Sequence, residues 1–301
     1  MNYKKSIFKG LLAIALLGSL SACEKPILDE EEEESTTTKE QGSNKKNNNG
    51  NVVIRVTNFN LTPITKAVVD LTTYCTRLNY VLYKDGKKVV GKSQMEGDAN
   101  FGEMTMTVDP GTYKLLVLAH SSTKGNPTLS DPENIQFTNA LGYSDTFFYY
   151  DNLEVTSEPK THELMLTRAS SLLKFIITDE IPENVTHIYI YYTGGSGVLN
   201  AVTGYGGNVN SRQEKNANIQ GYSSPLPIRI YTFLQSDEGY LDVKVEAQDA
   251  NNNTVVLSRE FEHIHMKRNT VTEFEGSFFS HENSLTLLAD TAWNDTLHYN
   301  Y

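Results

Sequence analysis

From Val52 to Phe279 the chain reads as strands. Short runs rich in Val, Ile, Leu, Thr and Tyr are separated by Gly, Pro, Asn and Asp, and no window sustains a helical period with caps at both ends. Met104, Met106 and Val108 alternate with Thr105 and Thr107, and Leu241, Val243, Val245 and Ala247 alternate with Asp242, Lys244, Glu246 and Gln248. Successive side chains of a strand point to opposite faces, so each segment buries one face of an antiparallel sheet. Tyr113 to Ala119, Leu172 to Ile177 and His187 to Tyr192 are apolar on both faces, the pattern of central strands covered on each side. Lys84-Asp85-Gly86-Lys87 suits a two-residue hairpin and Asp109-Pro110-Gly111 a tight turn. The expected fold class is all-β.

The 301 residues contain two cysteines, Cys23 and Cys75, and the first is spoken for by its surroundings. Lys4, Lys5 and Lys9 make the start of the chain positive. Ile7 to Leu20 is apolar apart from Lys9, Gly10, Gly18 and Ser19, short of the roughly 20 apolar residues that span a bilayer. Residues 1–22 therefore read as a secretory signal removed in the mature protein. The segment Leu20-Ser21-Ala22-Cys23 at its end resembles the bacterial lipoprotein box, in which the thiol is acylated and becomes the new N-terminus; the alternative is an ordinary signal with an incidental Cys. Each buried acyl methylene contributes about 0.8 kcal/mol, so two or more chains anchor stably. Cys23 is then a tether, and Cys75, left alone, makes no internal disulfide and reads as a small buried hydrophobe.

Loss of three lysines with the signal takes the formal charge from -11 to -14. So acidic a surface argues against nucleic acid and against close contact with anionic lipid. Residues 23–51 form a tether: Glu30 to Glu34 repel one another, and Ser35 to Asn51 lack hydrophobes. As a random coil the tether reaches on the order of 30 Å. Two readings stand for the acidic run, a solvating spacer and an address for export to the cell surface; the second rests on its resemblance to the acidic signal behind the lipidated Cys of surface lipoproteins in Gram-negative anaerobes.

The strand pattern occurs twice. One half runs from Val52 through Leu78 to Tyr83 and the turn before Tyr113; the other starts near Arg168, has its long strand at Ile188 to Tyr192, and leads through Asp237-Glu238-Gly239-Tyr240 into Leu241 to Ala247. In both, a turn with Gly feeds a Tyr that opens an apolar strand. The expectation is two β-sandwich domains, 52–166 and 167–301, meeting near Leu166-Thr167-Arg168, with one elongated sandwich as the alternative.

The lipobox, the acidic tether, the first strand from Val52 to Phe59, Pro110-Gly111-Thr112-Tyr113-Lys114-Leu115, the junction Leu164 to Leu173 and the closing Arg268-Asn269-Thr270-Val271 to Phe279 together resemble the fimbrillin-associated anchor and accessory lipoproteins of Gram-negative anaerobes. The resemblance covers nearly the whole chain. It implies two tandem transthyretin-like β-sandwich domains, an outer-membrane location at the base of a fimbrium with lipid held through Cys23, and fimbrial shaft or accessory subunits as partners.

No catalytic set emerges: no Ser or Cys sits in a nucleophile elbow, no carboxylate pair marks an acid and base, and no enzyme or cofactor is expected. His263 and His265 stand two apart, as strand neighbours that could share a zinc ion, or as two surface histidines on an edge. Asp249, Asn251, Asn253 and Glu260 match four ligand positions of a calcium loop, but Thr254 stands where that loop needs Gly, and a turn between strands is the competing reading. Gly194 to Gly207 carries no phosphate-binding Lys-Ser or Lys-Thr and reads as a long mobile loop at one end of the second sandwich. Tyr143, Tyr149, Tyr150, Tyr189, Tyr191, Tyr192, Tyr205, Tyr222, Tyr231 and Tyr240 either fill cores and sheet faces or offer stacking surfaces to a glycan.

Two functions follow. In the first the chain anchors or accompanies a fimbrial fibre and joins its subunits by β-strand addition, with the segment around Leu285, Leu287 and Trp293 as the partner strand or, alternatively, an ordinary closing strand. In the second it is a glycan-binding surface lipoprotein or tip adhesin.

Overall fold

The computed structural model describes residues 50–60, 70–207, 212–280 and 286–288. The described residues contain eighteen strands and one 3-10 turn at Leu71–Thr73. In chain order they are β1 (Gly50–Asn60), β2 (Arg77–Lys84), β3 (Lys87–Met95), β4 (Glu103–Val108), β5 (Gly111–His120), β6 (Ile135–Gln136), β7 (Phe147–Val155), β8 (Lys160–Arg168) and β9 (Ser171–Ile177). Then follow β10 (His187–Thr193), β11 (Val198–Asn200), β12 (Tyr205–Gly206), β13 (Gln213–Asn218), β14 (Leu226–Thr232), β15 (Glu238–Gln248), β16 (Thr254–Lys267), β17 (Val271–Gly276) and β18 (Thr286–Leu288).

The N-terminal half is a seven-stranded sheet in the order β3-β2-β5-β7-β8-β1-β4. Its two flanks meet at one corner: β7 runs beside β5 from Gly111↔Val155 to Ala119↔Phe147 but pairs with β8 only at Phe147↔Arg168 and Phe148↔Thr167. The sheet folds over there, and Val52, Ile54, Val56 and Leu164 of one flank pack with Leu78, Tyr80, Leu115 and Val117 of the other. The C-terminal half has two four-stranded sheets, β13-β10-β15-β16 and β14-β9-β17-β18, closed on Leu173, Phe175, Ile190, Ile228, Val243 and their neighbours. In each half the first strand lies parallel to a late one, β1 beside β8 and β9 beside β17, whereas every other pairing between strands is antiparallel.

That shared topology replaces the expected tyrosine equivalence. Tyr113 is buried and donates its hydroxyl to the Asp109 carbonyl at 2.8 Å, whereas Tyr240 is 59% exposed. The turns match expectation: β2 passes to β3 through Asp85 (φ 53) and Gly86 (φ 75), the left-handed pair a two-residue hairpin needs. The strands apolar on both faces are central ones, β5 between β2 and β7, β9 between β14 and β17, and β10 between β13 and β15.

For β5 the second apolar face has a specific cover. Tyr113, Leu115 and Val117 enter the N-terminal core, while Leu116 and Leu118 join Val81, Tyr83, Ile135, Phe137, Leu199 and Phe233 in a third cluster drawn from both halves. A three-stranded sheet, β12-β11-β6, lies over this cluster and is itself shared, because β6 belongs to the N-terminal half and β11 to the C-terminal one. The halves are connected by Ala169 and Ser170 alone between β8 and β9, and they belong to one compact unit. No helix of the described residues is long and apolar enough to cross a membrane.

Candidate functional site

Gly194 to Gly207 is built into the seam between the halves, a correction to its reading as a long mobile loop. It supplies β11 and β12, its Gly195, Ser196 and Gly197 are buried, and Leu199 is fully buried. The glycines are needed for close approach. Gly194 has φ +89 and passes so near Tyr240 that a Cβ would lie 2.0 Å from its carbonyl oxygen; a Cβ on Gly197 would lie 2.5 Å from the Tyr143 hydroxyl. Ser196 and Phe233 exchange backbone hydrogen bonds of 3.0 and 3.1 Å, and Phe137 N–H donates to Gly197 O at 2.8 Å. Apolar residues thus hold the middle of the seam and glycine backbone lets the halves close on it.

One edge of the seam is ionic. Arg168, ending β8, donates Nε to both Asp145 oxygens at 2.9 and 3.1 Å and Nη1 to Asn269 Oδ1 at 3.1 Å. Its guanidinium lies 4.6 Å from the centre of the Phe147 ring. The Ser170 hydroxyl donates to Asp145 at 2.8 Å and accepts from Thr146 N–H at 3.1 Å. Burial raises the Asp145 pKa, against the pull of Arg168 and these hydrogen bonds.

Beside the seam lies a groove of about 560 Å³. Its walls are edge strands: β13 ends one sheet of the C-terminal half, β14 ends the other, and the 121–146 connection of the N-terminal half closes the third side. Alternation along β14 buries Ile228 and Ile230 in the core and turns Arg229 and Tyr231 outward into the groove. Lys215 of β13 crosses the gap and donates Nζ to Arg229 O at 2.7 Å. Burial lowers the Lys215 pKa, and the adjacent Arg229 charge lowers it further. Neither Lys215 nor Arg229 has a carboxylate within ion-pair distance among the described residues. Glu214 lines the same groove, but its carboxylate is taken by Arg212 and the Tyr189 hydroxyl, which hold its pKa low. Tyr143, Tyr189 and Tyr231 stand half-buried around the cations, with Tyr143 hydrogen-bonded to Gln213. The tyrosines are among those singled out in the sequence. Lys124, Lys215 and Arg229 are not, because they are scattered along the chain and only the packing of two sheet edges against a loop brings them together.

The expected site residues fall elsewhere. Cys23, Leu285 and Trp293 lie outside the described residues. Leu287 is in β18, paired opposite Phe274 of β17 at the edge of its sheet. His263 and His265 both lie against Tyr240, ring centres 6.4 and 5.3 Å away, but each faces its own carboxylate: His263 Nδ1 is 3.8 Å from Asp242, and His265 Nε2 is 3.2 Å from Glu238. A bulge with His263 at φ 54 separates them, and no three of His, Cys, Asp and Glu gather to hold a metal among the described residues. Asp249 and Glu260 do not share a loop. Asp249 accepts from Asn251 N–H and Asn253 N–H at 2.8 and 2.9 Å within the β15–β16 turn. Glu260 sits opposite Lys244, five residues back along β15, about 16 Å away at strand rise. Cys75 is buried, its Sγ 3.6 Å from Leu71 O, and burial pushes its pKa up to about 12.

Seam, groove and layered sheets define an all-β protein of two fused halves. The chain belongs to the family described as a family of unknown function, DUF6562, whose model matches residues 42–300. No protein of curated function matches it by sequence. Similar solved structures include a candidate adhesin from Bacteroides ovatus, 14% identical, with 75% of this chain and 88% of that one covered at a TM-score of 0.48. Another is described as a candidate polysaccharide-binding protein from Bacteroides thetaiotaomicron, 11% identical, covering 83% and 98% at 0.46. The fimbrial anchor protein Mfa2 from Porphyromonas gingivalis is 11% identical, covering 80% and 95% at 0.40.

Proposed function

We propose that the protein is a non-enzymatic, surface-exposed lipoprotein of the outer membrane, anchored through Cys23, which holds or accompanies a fimbrial fibre at its base. The observation that carries this reading is the order of parts: a lipobox, an acidic tether with no hydrophobe from Ser35 to Asn51, and then β1 as an interior strand, paired on one side with β4 and on the other with β8. A strand held on both sides is costly to remove, because its main-chain hydrogen bonds and the burial of Val52, Ile54 and Val56 are lost together. That suits a subunit whose N-terminal strand stays in place at a fixed end. Partners would join by strand addition at β18, which ends its sheet among the described residues and so is placed to offer main-chain groups to an incoming strand.

Cell fractionation tests the anchor: wild-type protein pellets with outer membrane and takes up labelled palmitate, and Cys23→Ser is released and unlabelled. A truncation removing residues 281–301 tests the strand. It should keep a cooperative melt yet cease to copurify with fibre subunits, and unchanged copurification would refute strand addition through this segment while leaving the anchor standing.

A further inference from the structure

We infer that the groove between β13, β14 and the 121–146 connection binds a carboxylate-bearing saccharide, a uronate-type sugar, with Lys215 and Arg229 taking its charge and Tyr143, Tyr189 and Tyr231 its ring. The inference is independent of how the chain is anchored and of what it assembles with.

Charge comes first. The chain is acidic overall at -11, and Arg55, Arg168, Lys174, Arg212 and Lys244 all sit in ion pairs with carboxylates. Lys215 and Arg229 are pushed together in a concave site with no carboxylate at ion-pair distance among the described residues, and the acid lining that site, Glu214, is neutralised by Arg212. Partly desolvated like charges repel, and the arrangement lowers the Lys215 pKa as this requires. An anion in the groove would remove that cost. Arg229 is exposed, and its planar guanidinium can grip a carboxylate through two parallel N–H bonds.

Shape and polarity then select the kind of anion. The cavity falls within the range of small-molecule sites, about 300–1,000 Å³. A simple inorganic anion would leave most of it unused. Tyrosine offers an apolar ring for the C–H face of a sugar and a hydroxyl for its oxygens, and the groove has such rings from the connection, from β10 and from β14. Asn216 and Thr123 add neutral hydrogen-bonding groups for hydroxyls. Cations, aromatic rings and amides around one cavity suit an acidic sugar better than an acidic peptide, which would need either an extended charged track or a free strand edge, and here Lys215 caps the β14 edge at Arg229 O.

The test titrates the full chain, purified in detergent, with trigalacturonic acid, with a neutral galactose trimer and with a pentaglutamate peptide, each to 10 mM, following tyrosine fluorescence and heat. Trigalacturonic acid should bind at least tenfold more tightly than either other probe. Arg229→Gln should weaken it tenfold or more with an unchanged melting temperature. Tyr189→Ala, on an outward ring, should weaken it as well, which a purely ionic contact would not require. Equal binding of the neutral trimer, tighter binding of pentaglutamate, indifference to Arg229→Gln, or no heat with trigalacturonic acid would each overturn the proposal.

Discussion

Arg168 and Asp145 form a buried ion pair across the corner where the two halves join, Nε to Oδ1 2.9 Å, with 4% of the arginine side chain and 18% of the aspartate exposed. Removing one member of such a pair strands the other charge. Asp145→Ala is expected to cost about 3–5 kcal/mol in urea unfolding. Replacing both, Asp145→Ala with Arg168→Leu, should cost less than the sum of the single changes, because the stranded charge is gone.

Gly194 and Gly97 separate backbone strain from steric exclusion. Both have positive φ, +89 and +94, but a Cβ at Gly97 meets nothing within 4 Å while one at Gly194 meets Tyr240 O at 2.0 Å. Gly97→Ala should lose roughly 1–2 kcal/mol, the cost of a left-handed alanine. Gly194→Ala should lose several kcal/mol, since the obstruction is backbone. Thermal melts of the two proteins decide it, and equal losses would show that the seam yields.

His120 makes stability depend on pH. It is fully buried, Nε2 is 2.9 Å from Asn79 Oδ1, Nδ1 accepts from Ser122 N–H at 3.2 Å, and its pKa falls to about 4, first through burial and then through Arg77. A depressed folded pKa means that the unfolded chain takes up the proton first, so this contribution is complete above about pH 6.5 and is lost as pH falls towards 4. Denaturation curves at pH 7 and pH 4.5 should differ more for wild type than for His120→Asn. Parallel differences would remove His120 as the cause.

Cys75 should behave as an inert thiol. At 1% exposure and with a pKa pushed up to about 12, it should resist iodoacetamide at pH 8 in the folded protein and react within minutes once denatured. Labelling at the same rate in both states would contradict its burial.

Much of the fold is legible in the chain because strand and turn signals are local. Asp85-Gly86 announces its hairpin, and the alternation in Met104 to Val108 and in Leu241 to Ala247 names the inward faces correctly. Leu116 and Leu118 declare a second buried face on β5 without naming what covers it, since part of the cover, Leu199 and Phe233, comes from more than eighty residues away. The glycines of 194–207 mislead for the same reason. Locally they read as freedom; in place, a Cβ on Gly194 or Gly206 would run into the backbone carbonyl of Tyr240 or Phe233.

The candidate groove was less legible than the fold. A period of two already dictates that Arg229 and Tyr231 face away from Ile228 and Ile230. The meeting of Lys215 with Arg229 is of another kind. It depends on which strands end each sheet and on how two edges approach across a loop from the other half, a matter of long-range packing that leaves no periodic trace in the residues themselves.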